Sequence, residues 1–161
     1  MDPPEAKPWD RVLAPVIGIG SALILVVAGL DKRRDGSAGS GPTAELLPLG
    51  IILAGLGLGS YALIENRFFS AMVRIQFDRG HQVVSGGPYR WIRHPGYAGA
   101  ILVYLATPVL LDSQRALLPA LAFSAILVAR TALEDRTLQN ELSGYRDCAQ
   151  KVRYRLLPGV W

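Results

Sequence analysis

The sequence predicts an all-α integral membrane protein, a helical bundle of about four transmembrane helices with a short helical hairpin and a polar C-terminal helical segment. Three observations lead there. Half of the 161 residues are hydrophobic and only 19% are charged. Two runs without a charge, Val12 to Leu30 and Leu46 to Ile64, each hold 19 residues, roughly 28 Å as helix against a hydrocarbon core of about 30 Å. Lysine and arginine are also unevenly placed: with four alternating spans, thirteen of the seventeen fall on one side and four on the other. The positive-inside rule puts the thirteen, and with them both termini, in the cytoplasm. An inner-membrane or plasma-membrane type of location follows.

The elements follow in order. "MDPPEAKPWD" is not a basic leader and the first apolar run is longer than a signal-peptide core, so the first helix is expected to be retained. Residues 31 to 43, "DKRRDGSAGSGPT", read as a Gly/Ser-rich connection without chemistry; Lys32, Arg33 and Arg34 there are the basic residues on the minority side. In the second helix, Gly55 and Gly59 form a small-residue pair that lets another helix approach closely. From Glu65 to Arg79 the mixture of apolar and charged residues fits a helical extension or an interfacial segment. Two shorter runs, Tyr97 to Leu111 and Ala116 to Ala129, have 15 and 14 residues. They make a hairpin turned by Asp112-Ser113-Gln114-Arg115, with polar flanks completing each span. Beyond it, Leu138, Leu142, Tyr145, Ala149 and Val152 recur with helical spacing, and Ser143-Gly144 offers a break. The chain thus divides at about residue 80, with two helices and their extension in 1–79 and the chemistry-bearing part in 80–161.

That chemistry is concentrated in "GGPYRWIRHPGYAG", residues 86 to 99. Pro95 holds His94 extended and suits the first turn of the next helix. The free amides and positive dipole of that turn make a site for an anionic group, beside Arg90, Arg93 and His94. Aromatic residues here also suit a membrane-interface belt. A second polar cluster, Arg130, Glu134 and Asp135, lies where the last helix returns toward the same end. Arg130 and Glu134, four apart, share a face and fit a surface ion pair; ionisable groups near membrane depth are also functional candidates. Cys148 is the only cysteine, which excludes an intrachain disulfide and a cysteine-cluster metal site; no metal is expected. The net charge of +4 is explained by flanks facing anionic membrane lipid rather than by nucleic acid.

"GGPYRWIRHPGYAGAIL" followed by "LEDRTLQNELSGYRDCAQKVRYRLLPGVW" resembles the isoprenylcysteine carboxyl methyltransferase family, related to the membrane phospholipid methyltransferases, over roughly residues 80 to 161. The first segment is similar to the family's G-x-Y-x-x-x-R-H-P-x-Y-x-G, the second to its paired acids, Tyr-rich segment and closing Arg-Leu-Ile-Pro. The acidic pair is Glu-Asp here, and Cys148 stands where a second tyrosine is often found. The resemblance implies a membrane enzyme that binds S-adenosylmethionine without a Rossmann domain. It places Tyr89, His94, Pro95, Tyr97, Gly99, Glu134 and Asp135 in the cofactor region.

The sulfonium of that cofactor already activates its methyl group, so alignment and exclusion of water are the tasks left to the protein. A carboxylate acceptor is ionised at neutral pH and needs no general base; Arg93 with Arg153 or Arg155 would then hold it bidentately. An amine acceptor must first lose a proton, and Glu134 becomes the residue of interest. Three readings stand: a methyltransferase for the carboxylate of a lipophilic or prenylated small substrate, a phospholipid amine N-methyltransferase, and a noncatalytic subunit that binds lipid or a partner. The sequence leaves the oligomeric state open.

Overall fold

The computed structural model describes residues 6–35 and 41–161; residues 36–40 of the Gly/Ser-rich connection and the first five residues lie outside the described part. The described residues form helices and turns without a strand. Helices α1 (Asp10–Asp35), α2 (Pro42–Glu65), α3 (Pro95–Leu110) and α4 (Leu117–Glu141) make the bundle, followed by the short α5 (Tyr145–Lys151). Three of them, α1, α2 and α4, are long and apolar enough to cross a membrane, and α3 is a shorter apolar helix. Ile19, Leu25, Leu47, Leu53 and Leu121 point outward from these helices, as the side chains of a lipid-facing surface do. The protein is an integral membrane protein.

Both first helices are longer than their uncharged runs, because polar residues at each end continue the backbone hydrogen bonding beyond the hydrocarbon. Lys32, Arg33 and Arg34 accordingly belong to the last turn of α1. α3 packs most extensively on α2, and α4 contacts both α3 and α1. The α2–α3 contact is made close by glycine: a side chain at Gly55 would stand 2.7 Å from the carbonyl oxygen of Gly99, and one at Gly99 would meet the backbone of Gly55 and Gly59.

The hairpin is less symmetrical than its two apolar runs. α3 has 16 residues and α4 has 25, about 24 Å and 37 Å at a rise of ~1.5 Å per residue. α4 does not stop at Ala129 but runs on through Arg130, Glu134 and Asp135. The turn between them is fastened to the end of α1: Ser113 Oγ donates to Asp31 Oδ2 at 2.7 Å and accepts from the Ala116 amide at 3.2 Å, and Arg115 pairs with Asp31.

The expected helical extension over 65–79 does not form. α2 ends at Glu65, where Asn66 turns to extended backbone and its side-chain oxygen accepts from the Phe68 amide at 3.0 Å. The segment beyond folds around Gln76, which is buried. Its side-chain nitrogen donates to Phe68 O at 2.5 Å, its side-chain oxygen accepts from Arg79 at 2.7 Å, and its amide donates to His81 Nδ1 at 3.3 Å. These bonds give the polar backbone the partners that a helix would otherwise have supplied. Gly144, with φ of 79°, separates α4 from α5, yet the apolar stripe keeps one direction: Leu142 and Tyr145 pack with Ile75, joined by Leu138, Val83 and Ala149. The stripe therefore seats the 66–84 segment against the end of the bundle.

Candidate active site

At that end, the folded 66–84 segment, the start of α3 and the polar half of α4 surround a cavity of about 90 Å³ that opens to solvent. Tyr89, Arg93, His94, Gly96, Tyr97 and Glu134 line it from the helices. Asn66, Phe68, Phe69, Met72, Arg74 and His81 line it from the segment.

The two motif clusters meet through the hairpin and through the C-terminal segment. Tyr97 Oη donates to Glu134 Oε2 at 2.5 Å. The amides of Arg93 and His94 donate to the carbonyls of Tyr154 and Arg155 at 3.0 and 2.9 Å, so the chain before α3 and the chain after α5 run as a bonded pair. Ala98 N closes on His94 O and Pro95 has no N–H, so the turn's remaining free amides belong to Gly96 and Tyr97, both cavity residues. His94 stacks on Tyr97 with ring centroids 5.8 Å apart and planes 7° from parallel. Tyr89 donates to Ala62 O and accepts from Asn66, and burial pushes its phenol pKa up.

Asp135 sits behind this wall, completely buried. Its Oδ1 accepts from Arg93 Nε at 2.7 Å and Tyr145 Oη at 3.0 Å; its Oδ2 accepts from Arg93 Nη2 at 3.0 Å, Arg155 Nε at 2.8 Å and Gln139 at 2.7 Å. His94 Nε2 stands 3.4 Å from the same Oδ1. Burial alone would lower the Arg93 pKa, but hydrogen bonding and charge from Asp135 outweigh it and hold the guanidinium above its ordinary value. Burial, with Asp135 beside it, pushes the Tyr145 phenol up.

This geometry revises several expectations. Arg93 also donates to the carbonyls of Val152 and Arg153 at 2.6 and 2.9 Å, so its guanidinium fastens the C-terminal segment instead of waiting for an acceptor. Arg155 is spent on Asp135 and on the ring of Trp161, 4.7 Å away. Arg153 is exposed and, with Arg93, Arg146 and Arg155, lines a separate basic hollow behind the wall. Asp135 is saturated by protein donors and has no face on the cavity. Pro95 is buried at the helix start, and Gly99 serves the α2–α3 contact. The Arg130–Glu134 ion pair does not form: Arg130 pairs with Asp10, through Nε at 2.6 Å and Nη2 at 2.9 Å.

Glu134 is the acidic residue that remains available. Among the described residues its Oε1 takes no hydrogen bond, and it lines the cavity among aromatic and apolar side chains, with Arg74, Arg93 and His81 among the basic members. That donor and acceptor set fits a ligand with a cationic centre, an aromatic base and a ribose. No group of three or more His, Cys, Asp or Glu is placed to hold a metal among the described residues. Cys148 reaches the cavity, and burial raises its thiol pKa against the opposing charges of Arg93 and Lys151, which leaves it a poor nucleophile.

The sequence missed the 66–84 wall almost entirely. The polar turn "DRGH" at 78–81, with Gly80 in left-handed backbone, was its one local signal.

Comparison with known proteins decides the relationship. The model of the isoprenylcysteine carboxyl methyltransferase family matches residues 49–140, which takes in the α2–α3 contact, the 66–84 wall and Glu134. The chain belongs to the isoprenylcysteine carboxyl methyltransferase family. It is 34% identical over 62 residues to a probable protein-S-isoprenylcysteine O-methyltransferase of Oryza sativa subsp. indica, covering 38% of this chain and 31% of that one. To the uncharacterized protein YpbQ of Bacillus subtilis (strain 168) it is 38% identical over 61 residues, 37% of this chain and 36% of that one. The solved structure of a eukaryotic intramembrane Ras methyltransferase of the family superposes with a TM-score of 0.74 at 21% identity, covering 91% of this chain and 53% of that one. The fold is therefore the family's membrane fold, and the chain spans about half the length of that solved relative and about a third of the sequence relatives.

Proposed function

We propose that this protein is an S-adenosylmethionine-dependent methyltransferase that esterifies the carboxylate of a lipophilic or prenylated small substrate at the cytoplasmic membrane surface, with both ends of the chain on that side. The observation that carries the reading is Glu134, an unspent carboxylate held by Tyr97 in a mostly apolar cavity built from both family motifs. Bound S-adenosylmethionine supplies a methyl group activated by its sulfonium. Glu134 is suited to bind the cationic part of that molecule, with Tyr97 fixing its rotamer. Tyr89 and His94 shape the adjoining wall, Phe69 offers a ring face to a base, and the buried Phe68 helps to exclude water. Asp135, through Arg93, Arg155 and Tyr145, positions the C-terminal segment that closes the back of the site.

Holding the acceptor passes to another cation. Arg74 lines the cavity, is half-buried, and makes no ion pair among the described residues. An acceptor carboxylate is already ionised at neutral pH, so the protein has only to hold it in line with the methyl group. A guanidinium does that through two parallel N–H bonds.

The test is calorimetric titration of S-adenosylmethionine into the detergent-purified chain, followed by transfer of labelled methyl to a farnesylated cysteine analogue. Binding to the wild type, loss of most affinity in Glu134→Gln, and a base-labile methyl ester as product are expected. Arg74→Gln should raise the acceptor KM about tenfold or more, the scale of one charge-assisted contact, and Arg74→Lys should recover only part of it. No heat from the wild-type protein would end the cofactor reading; methyl transfer to a phosphatidylethanolamine amine instead of the carboxylate would move the acceptor to the amine class.

A further inference from the structure

Asp10 opens α1, far from either motif, yet it is completely buried and reaches the methyltransferase cavity through Arg130. Its two oxygens take the fork of that guanidinium, and its Oδ2 also accepts from the Val73 amide at 2.6 Å. The Lys7 amide answers by donating to Val73 O at 3.0 Å. Arg130 spends a further N–H on Ala71 O at 2.7 Å and lies with its guanidinium carbon 5.3 Å from the centre of the Tyr97 ring. The beginning of the chain thus holds together the 71–73 backbone, Arg130, and the tyrosine that steers Glu134.

Arg130 and Glu134 are four residues apart on one helix, the spacing at which an arginine and a glutamate pair readily. In a site with little water that attraction is stronger than on an exposed helix. Glu134 nevertheless keeps one oxygen free, because the guanidinium is turned the other way onto Asp10. We propose that Asp10 is a positioning residue that competes with Glu134 for Arg130, and so keeps the Glu134 carboxylate unpaired and available to a cationic ligand. The proposal rests on the cofactor reading above.

Substituting Asp10→Asn removes the charge that holds Arg130 while preserving size and an acceptor for the Val73 amide. Arg130 then swings to Glu134, and affinity for S-adenosylmethionine falls about five- to tenfold, the worth of one ion pair in a half-buried site. The distinguishing variant is the double substitution Asp10→Asn with Arg130→Gln. If Asp10 acts by diverting Arg130, removing the freed arginine restores most of the lost affinity. If Asp10 serves only to hold the fold together, the second substitution removes more contacts and makes matters worse.

The measurement is the dissociation constant of S-adenosylmethionine on folded, detergent-purified full chain, with the thermal midpoint recorded alongside. Wild-type affinity in Asp10→Asn, or a double variant that binds no better than the single one, overturns the proposal while the wild-type titration still upholds the cofactor site. A wild type that does not bind ends the cofactor reading and this inference with it. Should Asp10→Asn fail to fold, Asp10→Ser poses the same question, since its hydroxyl can still accept from the Val73 amide while the charge that holds Arg130 is gone. Reduced affinity is expected there, and unchanged affinity is the overturning result.

Discussion

His81 shows how one side chain can hold a functional wall. Its Nδ1 accepts from the Gln76 amide and its ring lies 4.7 Å from that of Phe68, so the imidazole works in its neutral form. Burial, with the charge of Arg79 added, lowers its pKa below the ordinary value of 6.5. The sign follows: the folded protein takes up its proton later than the unfolded chain as pH falls. His81 therefore contributes its full stability above pH ~6.5 and loses it as pH drops through the depressed folded value. Thermal midpoints measured between pH 7.5 and pH 5 should fall for the wild type. In His81→Asn, whose side-chain oxygen can still accept from the Gln76 amide, the fall should be shallower, and identical slopes would remove His81 from the account. The contrast between Glu134 and Asp135 belongs to the same scale. They are neighbours in sequence, but one faces a cavity with an oxygen to spare and the other is buried under five donated hydrogen bonds. Motif position cannot separate such a pair; only the direction each side chain takes from the helix does.

At the scale of elements, what could be foreseen was whatever hydrophobic periodicity and length decide. The 19-residue runs became α1 and α2, and the hairpin turned where Asp112 to Arg115 interrupt the apolar sequence. The 66–84 segment was not legible because its conformation rests on side-chain bonds of Gln76 that a helix pattern does not announce and on distant partners: Asp10 holds Val73, and the α4–α5 stripe covers Ile75. A mixed apolar and charged sequence reads as an amphipathic helix until those partners are known. The free-anchor reading of Arg93 failed for a related reason, since nothing local reveals that Asp135 and two carbonyls absorb its donors. Of the Gly55–Gly59 pair, Gly55 carried its meaning locally, since a side chain there meets Gly99 O, whereas one at Gly59 would find nothing within 4 Å. Gly99→Ala should destabilise the bundle by about 1–3 kcal/mol, because the added methyl meets the Gly55 carbonyl and one helix must move. Gly57→Ala, where a side chain finds nothing within 4 Å, should be neutral or slightly stabilising. Equal thermal midpoints for the two variants in detergent would remove the α2–α3 approach as the reason for these glycines.

For the whole molecule, the four helices alternate in direction, so Lys7, the 66–84 wall, α5 and the C-terminal segment gather at one end. The Lys7–Glu141 ion pair at 2.6 Å joins the first and last parts of the bundle there. That end carries thirteen lysines and arginines, and the opposite end, with Lys32, Arg33, Arg34 and Arg115, carries four. Two independent considerations then point the same way. The positive-inside rule predicts the richer end in the cytoplasm, and on the proposed function a cavity for S-adenosylmethionine would open where that molecule is made. An impermeant maleimide can test both at once in a Cys148→Ser background, which removes the native thiol. Arg34→Cys should be labelled from outside intact cells, and Val160→Cys, an exposed position near the C-terminus, only after permeabilisation. The reverse pattern would turn the basic end and its cavity outward, and a cytoplasmic methyl donor could then not reach Glu134 at all.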